Sequence, residues 1–238
     1  MIISVEKRDQ FEHRHLLDQM FKTRKQIFAD QLGWDVPVHG ELEYDEYDDL
    51  DPVYLMLTDE TQKRHLASLR LMPTTGPTLL HDVFHDTMPS AANLSSPEIW
   101  ECTRFCIEPN TEDGDNHWGI TASSLLLLGL CELGLKNGIE MVVANFDPVM
   151  KRIYNKAGCE VEEHGVSKSY GSRPVACGTF EVSPRILRKM RNHLGIDGPV
   201  YGVRNHPKRN VVKDEHRGCS GLSHDAHQLG GNNPSAFT

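Results

Sequence analysis

Residues 100–107 read Trp-Glu-Cys-Thr-Arg-Phe-Cys-Ile. The apolar and aromatic residues of this stretch predict a buried strand within 97–107, yet it carries a carboxylate, Glu101, and a guanidinium, Arg104. An ionised group inside a core strand is costly unless it is paired or faces a site. Any fold of this chain must therefore set polar chemistry against its central strand. In a regular strand positions 101 and 104 point to opposite faces. A bulge between them would turn both to one face, and bulges of this kind cluster beside active sites. A purely structural Glu101/Arg104 ion pair is the alternative at this point.

Composition bounds the rest. A chain of 238 residues can bury a full core, as one large domain or two small ones. Its 38% hydrophobic and 25% charged residues are those of an ordinary soluble protein. The net charge of −9 argues against a general nucleic-acid binder, which needs a basic field. No apolar run approaches the length of a membrane span, and the opening Met-Ile-Ile-Ser-Val-Glu-Lys lacks the form of a secretory signal. Cys102, Cys106, Cys131, Cys159, Cys177 and Cys219 form no Cys-x-x-Cys pair, so reduced core thiols in a cytoplasmic protein are expected.

Helical spacing of Phe11, Leu16, Leu17, Met20, Phe21, Ile27 and Phe28 predicts one or two helices over 11–31, stopped by Gly33. Residues 35–51 form an acidic loop bearing aromatics. Strands are predicted over 53–57 and 65–72, joined by a polar turn as a hairpin. A short helix over 78–84, the strand over 97–107, a polar loop at 111–118 and an apolar helix over 121–135 follow. Asn137-Gly138 ends that helix. Then come a strand over 141–144, a helix over 148–156, strands over 159–163 and 176–182, and a basic helix over 184–192 opened by Pro184. This order predicts one α/β domain over 1–195, with a mixed central sheet flanked by helices. Residues 196–238 are rich in His, Asn, Gly, Ser and charge, which predicts a polar, mobile tail. A loop and apolar helix directly after the central strand resemble the GNAT-like N-acyltransferase arrangement, a likeness of fold that leaves the substrate open.

Taken singly, the candidate residues have plain readings. Arg24 and Phe28 share a helix face, Trp34 plugs the helix end, and Asp45 and Asp48 solubilise a loop. Arg70 interrupts a strand otherwise suited to burial. Taken together, Arg24, Phe28, Trp34, Asp45-x-x-Asp48, Arg70, Phe84 and Glu101-x-x-Arg104 resemble the signature of the acyl-homoserine lactone synthases, the LuxI-type autoinducer synthases. The sub-motifs Arg-Lys-Gln-Ile-Phe28, Tyr-Asp-Glu-Tyr-Asp48, Ala-Ser-Leu-Arg-Leu-Met-Pro-Thr74 and Trp-Glu-Cys-Thr-Arg-Phe105 agree in context. The likeness covers 2–191.

That resemblance implies transfer of an acyl group from a thioester to the amine of S-adenosylmethionine, then lactonisation with release of methylthioadenosine. The product is an N-acyl-homoserine lactone, a diffusible quorum-sensing signal. S-adenosylmethionine enters as substrate, and no cofactor or metal is expected. Glu101 suits the general base that frees the amine, and backbone amides loosened by a bulge near 102–105 suit the oxyanion. Arg24, Phe28, Trp34, Asp45, Thr103, Arg104 and Phe105 are the expected S-adenosylmethionine residues, through charge, hydrogen bonds and aromatic faces. Glu101, Arg104, Asp45, Asp48 and Arg70 are the expected catalytic residues, with Arg70 bracing Asp45 or Asp48.

The pyrophosphate loop of acetyltransferases is degenerate here, Asn116-His-Trp-Gly-Ile-Thr121, which favours acyl carrier protein over acyl-CoA as donor. An acidic carrier needs a basic patch, and Lys151, Arg152, Lys156 and Arg188 are the candidates. The acyl chain is expected among Phe84, Leu125, Leu128, Met141, Val143, Ala144, Met150 and Tyr154. Ala144 stands where family members making 3-oxo chains carry Thr, so an unsubstituted chain is expected. The enzyme is expected to be a monomer, without nucleic-acid partner or membrane insertion. Rival readings are a GNAT-type acyl-CoA-dependent amine acyltransferase and a catalytically silent module that binds S-adenosylmethionine or a partner protein.

Overall fold

The computed structural model describes residues 1–88, 94–111, 120–168, 170 and 173–203. In chain order the elements are β1 (Ile2–Val5), α1 (Arg14–Arg24), β2 (Val38–His39), β3 (Leu42–Glu43), β4 (Val53–Thr58), β5 (His65–Pro73), α2 (Leu79–Asp82), β6 (Ile99–Ile107), α3 (Ala122–Lys136), β7 (Met141–Phe146), α4 (Lys151–Lys156), β8 (Glu162–Ser167), β9 (Val175–Glu181) and α5 (Pro184–Leu194). Seven strands form one mixed sheet in the order β1-β4-β5-β6-β7-β9-β8, and β2 and β3 form a separate small hairpin. Among the described strands of this sheet only the β6–β7 neighbours run parallel, because α3 supplies the crossover that a parallel pair needs.

Helices cover both faces. On one, α3 and α5 pack against Leu55, Leu69, Leu71, Val142 and Ala176 in the main core. On the other, Leu16, Leu17 and Met20 of α1 cover Val5, Tyr54 and Met56. Helix α3 is buried on nearly every side, which suits its run of leucines. Helix α5 buries only Ile186, Met190 and Leu194, at helical spacing. Ser183 caps its start, accepting from the Ile186 amide at 3.2 Å, and Gly195 ends it at φ +66°.

The expected mixed sheet is present, with several corrections. The predicted 11–31 helix is α1 followed by wider π-helical turns over Lys25–Gln31. The opening residues form β1, buried at both ends beside β4. The strand expected over 159–163 instead runs Glu162–Ser167, where polar composition gives no alternation to read. Gly165 belongs there for space, since a Cβ at that position would sit 2.4 Å from the Thr87 carbonyl oxygen. The boundary at 195 also moves. Ile196 and Val200 are in the core, and the Val200 and Tyr201 amides both donate to Glu132 at 2.8 Å. The packed domain thus continues through these residues. The rest of the expected tail, from 204, lies outside the described residues, with its histidines and Cys219.

The expected bulge is real and sits at Arg104. Ser68 pairs with Cys106 and Arg70 with Thr103, so β6 uses three steps where β5 uses two. Arg104 takes φ +53°, the left-handed region, to absorb the extra residue. On its other side β6 pairs with β7 at four positions, Ile99 with Met141 through Cys102 with Ala144. Beyond that last rung the two strands part.

Candidate active site

Above the bulge lies a closed network of three guanidiniums and three carboxylates. Arg24 donates from Nε to Glu43 at 2.5 Å and from both terminal nitrogens to Asp48 at 2.9 Å. Arg70 grips Asp45 with two nitrogens, lies 2.9 Å from Asp48, and donates from Nε to Thr103 at 3.0 Å. Arg104 donates from Nε to Glu43 at 3.0 Å and from Nη2 to Asp45 at 2.7 Å. Tyr54 completes the set by donating to Asp48 at 2.8 Å. The charges balance, which is the condition for holding them in the interior.

Local sequence explains the arrangement. Asp45 caps the 3₁₀ turn Glu46–Asp49, accepting from the Tyr47 amide, while Asp48 accepts from the Asp45 amide at 2.9 Å. This reciprocal cap fixes both carboxylates. The short β2–β3 hairpin turns Glu43 inward, where it is 0% exposed. Burial works to raise the Asp48 carboxyl, but the Arg24 hydrogen bonds and the Arg70 charge hold it well below the usual carboxylate range.

Sequence reasoning named five of these six charged residues and missed Glu43, the hub between Arg24 and Arg104. Arg70 braces Asp45 and Asp48, as expected of it. Arg24 differs from expectation. At 1% exposure, with its hydrogen bonds directed to Glu43 and Asp48, it is a brace within the network and does not border the cavity. Arg104 does border it, and among the described residues its Nη1 has no protein partner. Its guanidinium lies 5.4 Å over the Phe28 ring, which stacks on Trp34 at 5.4 Å. Trp34, Phe28, Thr103 and Phe105 all line the cavity.

Glu101 is 1% exposed on the same side of the sheet. Its oxygens accept the Leu79 amide at 3.1 Å and the Leu80 amide at 2.6 Å, at the start of α2. Burial pushes its carboxyl up to about 7, against the pull of those two amides. Leu79 separates it from the cavity, so Glu101 sits one layer behind the wall.

The cavity, about 350 Å³, passes through the gap between β6 and β7. On the α3 side its walls are strongly apolar, including Leu127, Leu130, Val142, Phe146, Ile153, Phe180, Ile186 and Met190. Of the expected acyl-pocket residues, Ala144, Met150 and Tyr154 line this part, and Phe84 lines the cavity from the Glu101 side, where it packs with Met72 and Leu79. Leu125, Leu128, Met141 and Val143 do not line it. Leu125 and Leu128 are buried in the main core, each two positions before a lining residue, Leu127 and Leu130. Met141 and Val143 point to the opposite face of β7, with Leu80 and Cys177.

In the expected basic patch, Lys151 is bound to Glu163 at 2.5 Å. Arg152, Lys156 and Arg188 are exposed, with no ion pair among the described residues. Residues 116–119 of the expected pyrophosphate loop lie outside the described residues. The five described cysteines are free thiols. Among the described residues no helix is long and apolar enough to cross a membrane, and no side-chain cluster is suited to a metal ion.

Comparison with known proteins finds relatives over most of the chain. The family model described as autoinducer synthase matches residues 8–188. An acyl-homoserine-lactone synthase of Rhizobium etli is 41% identical over 146 residues, which are 61% of this chain and 68% of the relative. One from Pseudomonas aeruginosa is 30% identical over 178 residues, 74% of this chain and 87% of the relative. The solved structure of BjaI, a CoA-dependent acyl-homoserine lactone synthase with SAM and isopentyl-CoA, superposes with TM-score 0.72 at 25% identity, covering 84% of this chain and 94% of that one.

Proposed function

This chain belongs to the autoinducer synthase family, the acyl-homoserine-lactone synthases, and on that premise we propose that it acylates the amine of S-adenosylmethionine from an acyl carrier protein thioester. Lactonisation then releases methylthioadenosine. The observation that carries the reading is the cavity itself, with an aromatic and cationic mouth at Trp34, Phe28 and Arg104 and an apolar chamber beyond the gap between β6 and β7. One end suits a charged sulfonium amino acid and the other an acyl chain.

The residues divide the work as follows. Arg104 offers Nη1 to the substrate carboxylate, and Phe28 and Trp34 offer ring faces to the sulfonium. The Arg24–Glu43–Asp48–Arg70–Asp45 network braces Arg104 in that position. Glu101, its pKa raised to about 7, takes the proton that the amine must lose, since a base near the working pH is the effective one. Its two amide hydrogen bonds to α2 must open for this step. The amine attacks the thioester carbonyl, the oxyanion forms against amides loosened by the Arg104 bulge, and the carrier thiol leaves. The substrate carboxylate then closes on its own γ-carbon, expelling methylthioadenosine. No cofactor is needed for either step, and one chain carries the whole site.

The carrier-protein donor rests on the degenerate sequence Asn116-His-Trp-Gly-Ile-Thr121 and on the exposed Arg152, Lys156 and Arg188. Acyl-CoA is the second reading, favoured by the likeness to BjaI, a CoA-dependent acyl-homoserine lactone synthase. Purified protein supplied with S-adenosylmethionine and matched acyl-carrier-protein and acyl-CoA donors tests both, with mass spectrometry of the lactone. Turnover on the carrier donor that falls with rising salt is expected. No lactone from either donor would refute the function, and lactone from acyl-CoA alone would refute the donor.

A further inference from the structure

Three buried side-chain atoms lack a hydrogen-bond partner among the described residues: His65 Nε2, Asn145 Oδ1 and Arg191 Nε. A buried polar atom without a partner is uncommon enough to need a reason. Of the three residues only Asn145 lines the cavity. The orientation of its amide is fixed by its neighbour. Thr87 Oγ1 spends its proton on the Phe84 carbonyl at 2.6 Å, so it can only accept from Asn145, whose Nδ2 lies 2.7 Å away. The atom left over is therefore an acceptor, Oδ1.

Its place in the sheet says what it can accept. Cys102 with Ala144 is the last rung between β6 and β7, and Asn145 is the first residue past it. Asn145 pairs across β9 with Cys177 and shares the strand face of Val143, the partner of Glu101. Oδ1 thus lies at the neck of the cavity, on the Glu101 side. The acyl chamber, walled by Val142, Ala144 and Phe146, lies on the other side.

We propose that Asn145 holds the attacking amine of the substrate, Oδ1 accepting one of its N–H groups as the nitrogen adds to the thioester carbonyl. The assignment rests on the reading that an amine is the acyl acceptor. As the N–C bond forms, the carbonyl π pair moves to oxygen and the nitrogen becomes cationic. A hydrogen bond from that nitrogen to an amide oxygen is stronger then than in the ground state, which is the form of binding that raises kcat. An amide oxygen does not take the proton. Glu101 already holds the proton it took to free the amine, so this second proton passes to the thiolate that leaves as collapse of the oxyanion breaks the C–S bond. The Asn145 amide is held by Thr87 of the turn His85–Thr87 as Glu101 is by the Leu79 and Leu80 amides, so residues 79–87 must yield for either group to meet substrate.

The test compares the wild-type protein with Asn145→Leu and Thr87→Val in the lactone assay, using an unsubstituted and a 3-hydroxyacyl donor. In Asn145→Leu, kcat is expected to fall about ten- to hundredfold, equally with both donors, the loss of one charge-assisted hydrogen bond. The KM for the acyl donor should hold. So should affinity for methylthioadenosine, which lacks the amine and reports an intact site. Thr87→Val keeps Oδ1 but frees the amide, and should lower kcat by a smaller factor. It stands in if Asn145→Leu does not fold. An unchanged kcat would overturn the assignment, as would parallel loss of methylthioadenosine affinity. Loss restricted to the 3-hydroxyacyl donor would place Oδ1 on the acyl chain instead. A wild-type protein that makes no lactone would overturn the reading of the reaction itself.

Discussion

Replacing Glu43 by Gln should cost this protein a large part of its stability. Glu43 is fully buried between Arg24, at 2.5 Å, and Arg104, at 3.0 Å. The substitution leaves three guanidiniums facing two carboxylates, so one positive charge is stranded in the interior. Breaking a buried ion pair typically costs ~3–5 kcal/mol. Two features place the estimate at the lower end. Gln keeps one acceptor oxygen, and both arginines keep a second partner, Arg24 in Asp48 and Arg104 in Asp45. The expected loss is therefore about 3 kcal/mol, a sizeable share of the ~5–15 kcal/mol of a whole domain. In urea, with a slope of about 3 kcal/mol/M, the midpoint should fall by about 1 M. The double variant Glu43→Gln/Arg24→Met restores charge balance and should be less destabilised than the sum of its two single changes. A Glu43→Gln midpoint within about 0.2 M of wild type, or strict additivity in the double variant, would show that balance in this network is not what holds it together.

Further outcomes are expected at Glu101 and Met190. Glu101→Gln should abolish turnover while methylthioadenosine still binds, and wild-type activity should show an acidic limb centred near pH 7, where Glu101 loses its proton. Because the folded pKa of Glu101 lies above its unfolded value of 4.5, its contribution to stability is full below about pH 4.5 and is lost as pH rises through 7. Glu101→Gln should therefore lose less stability than wild type between pH 5 and 8, by up to about 3 kcal/mol in urea titrations. An identical pH dependence in the two proteins would remove Glu101 from that role. Met190→Trp narrows the apolar chamber and should shorten the longest acyl chain accepted, each excluded methylene costing about fourfold in kcat/KM. An unchanged chain-length profile would mean the acyl group lies elsewhere.

How far the sequence alone reached follows from where a residue's face could be read. Glu101, Arg104 and Arg70 stood out because charge interrupted strands otherwise fit for burial, and that same contrast predicted the bulge. Glu43 gave no such signal. It sits in the run Glu41–Asp51, where seven of eleven residues are Asp or Glu, and only the two-residue strand β3 turns it inward. The apolar chamber was legible as a region but not as a set of side chains. Helix α3 is apolar all round, so nothing in its sequence separates Leu127 and Leu130 on the cavity from Leu125 and Leu128 behind them. In β7 both faces are buried, which hides whether Val142 or Val143 borders the chamber. Strand β8 was displaced in the reading because its fit depends on Gly165 passing close to a distant turn, a tertiary fact without a local pattern.

The four rungs between β6 and β7 are also a mechanical seam. Strands β1, β4, β5 and β6 form one plate and β7, β9 and β8 another, and in the sheet only those four residue pairs rivet the two together. A sheet is usually the stiffest layer of an α/β domain, yet here it is already unzipped along half of its middle. A ligand threaded through the gap acts as a wedge, and the rung nearest to it, Cys102 with Ala144, is the first that would have to fray. The proposed substrate passage and the seam between the two plates are thus one feature, so a guest there meets two plates rather than one continuous sheet.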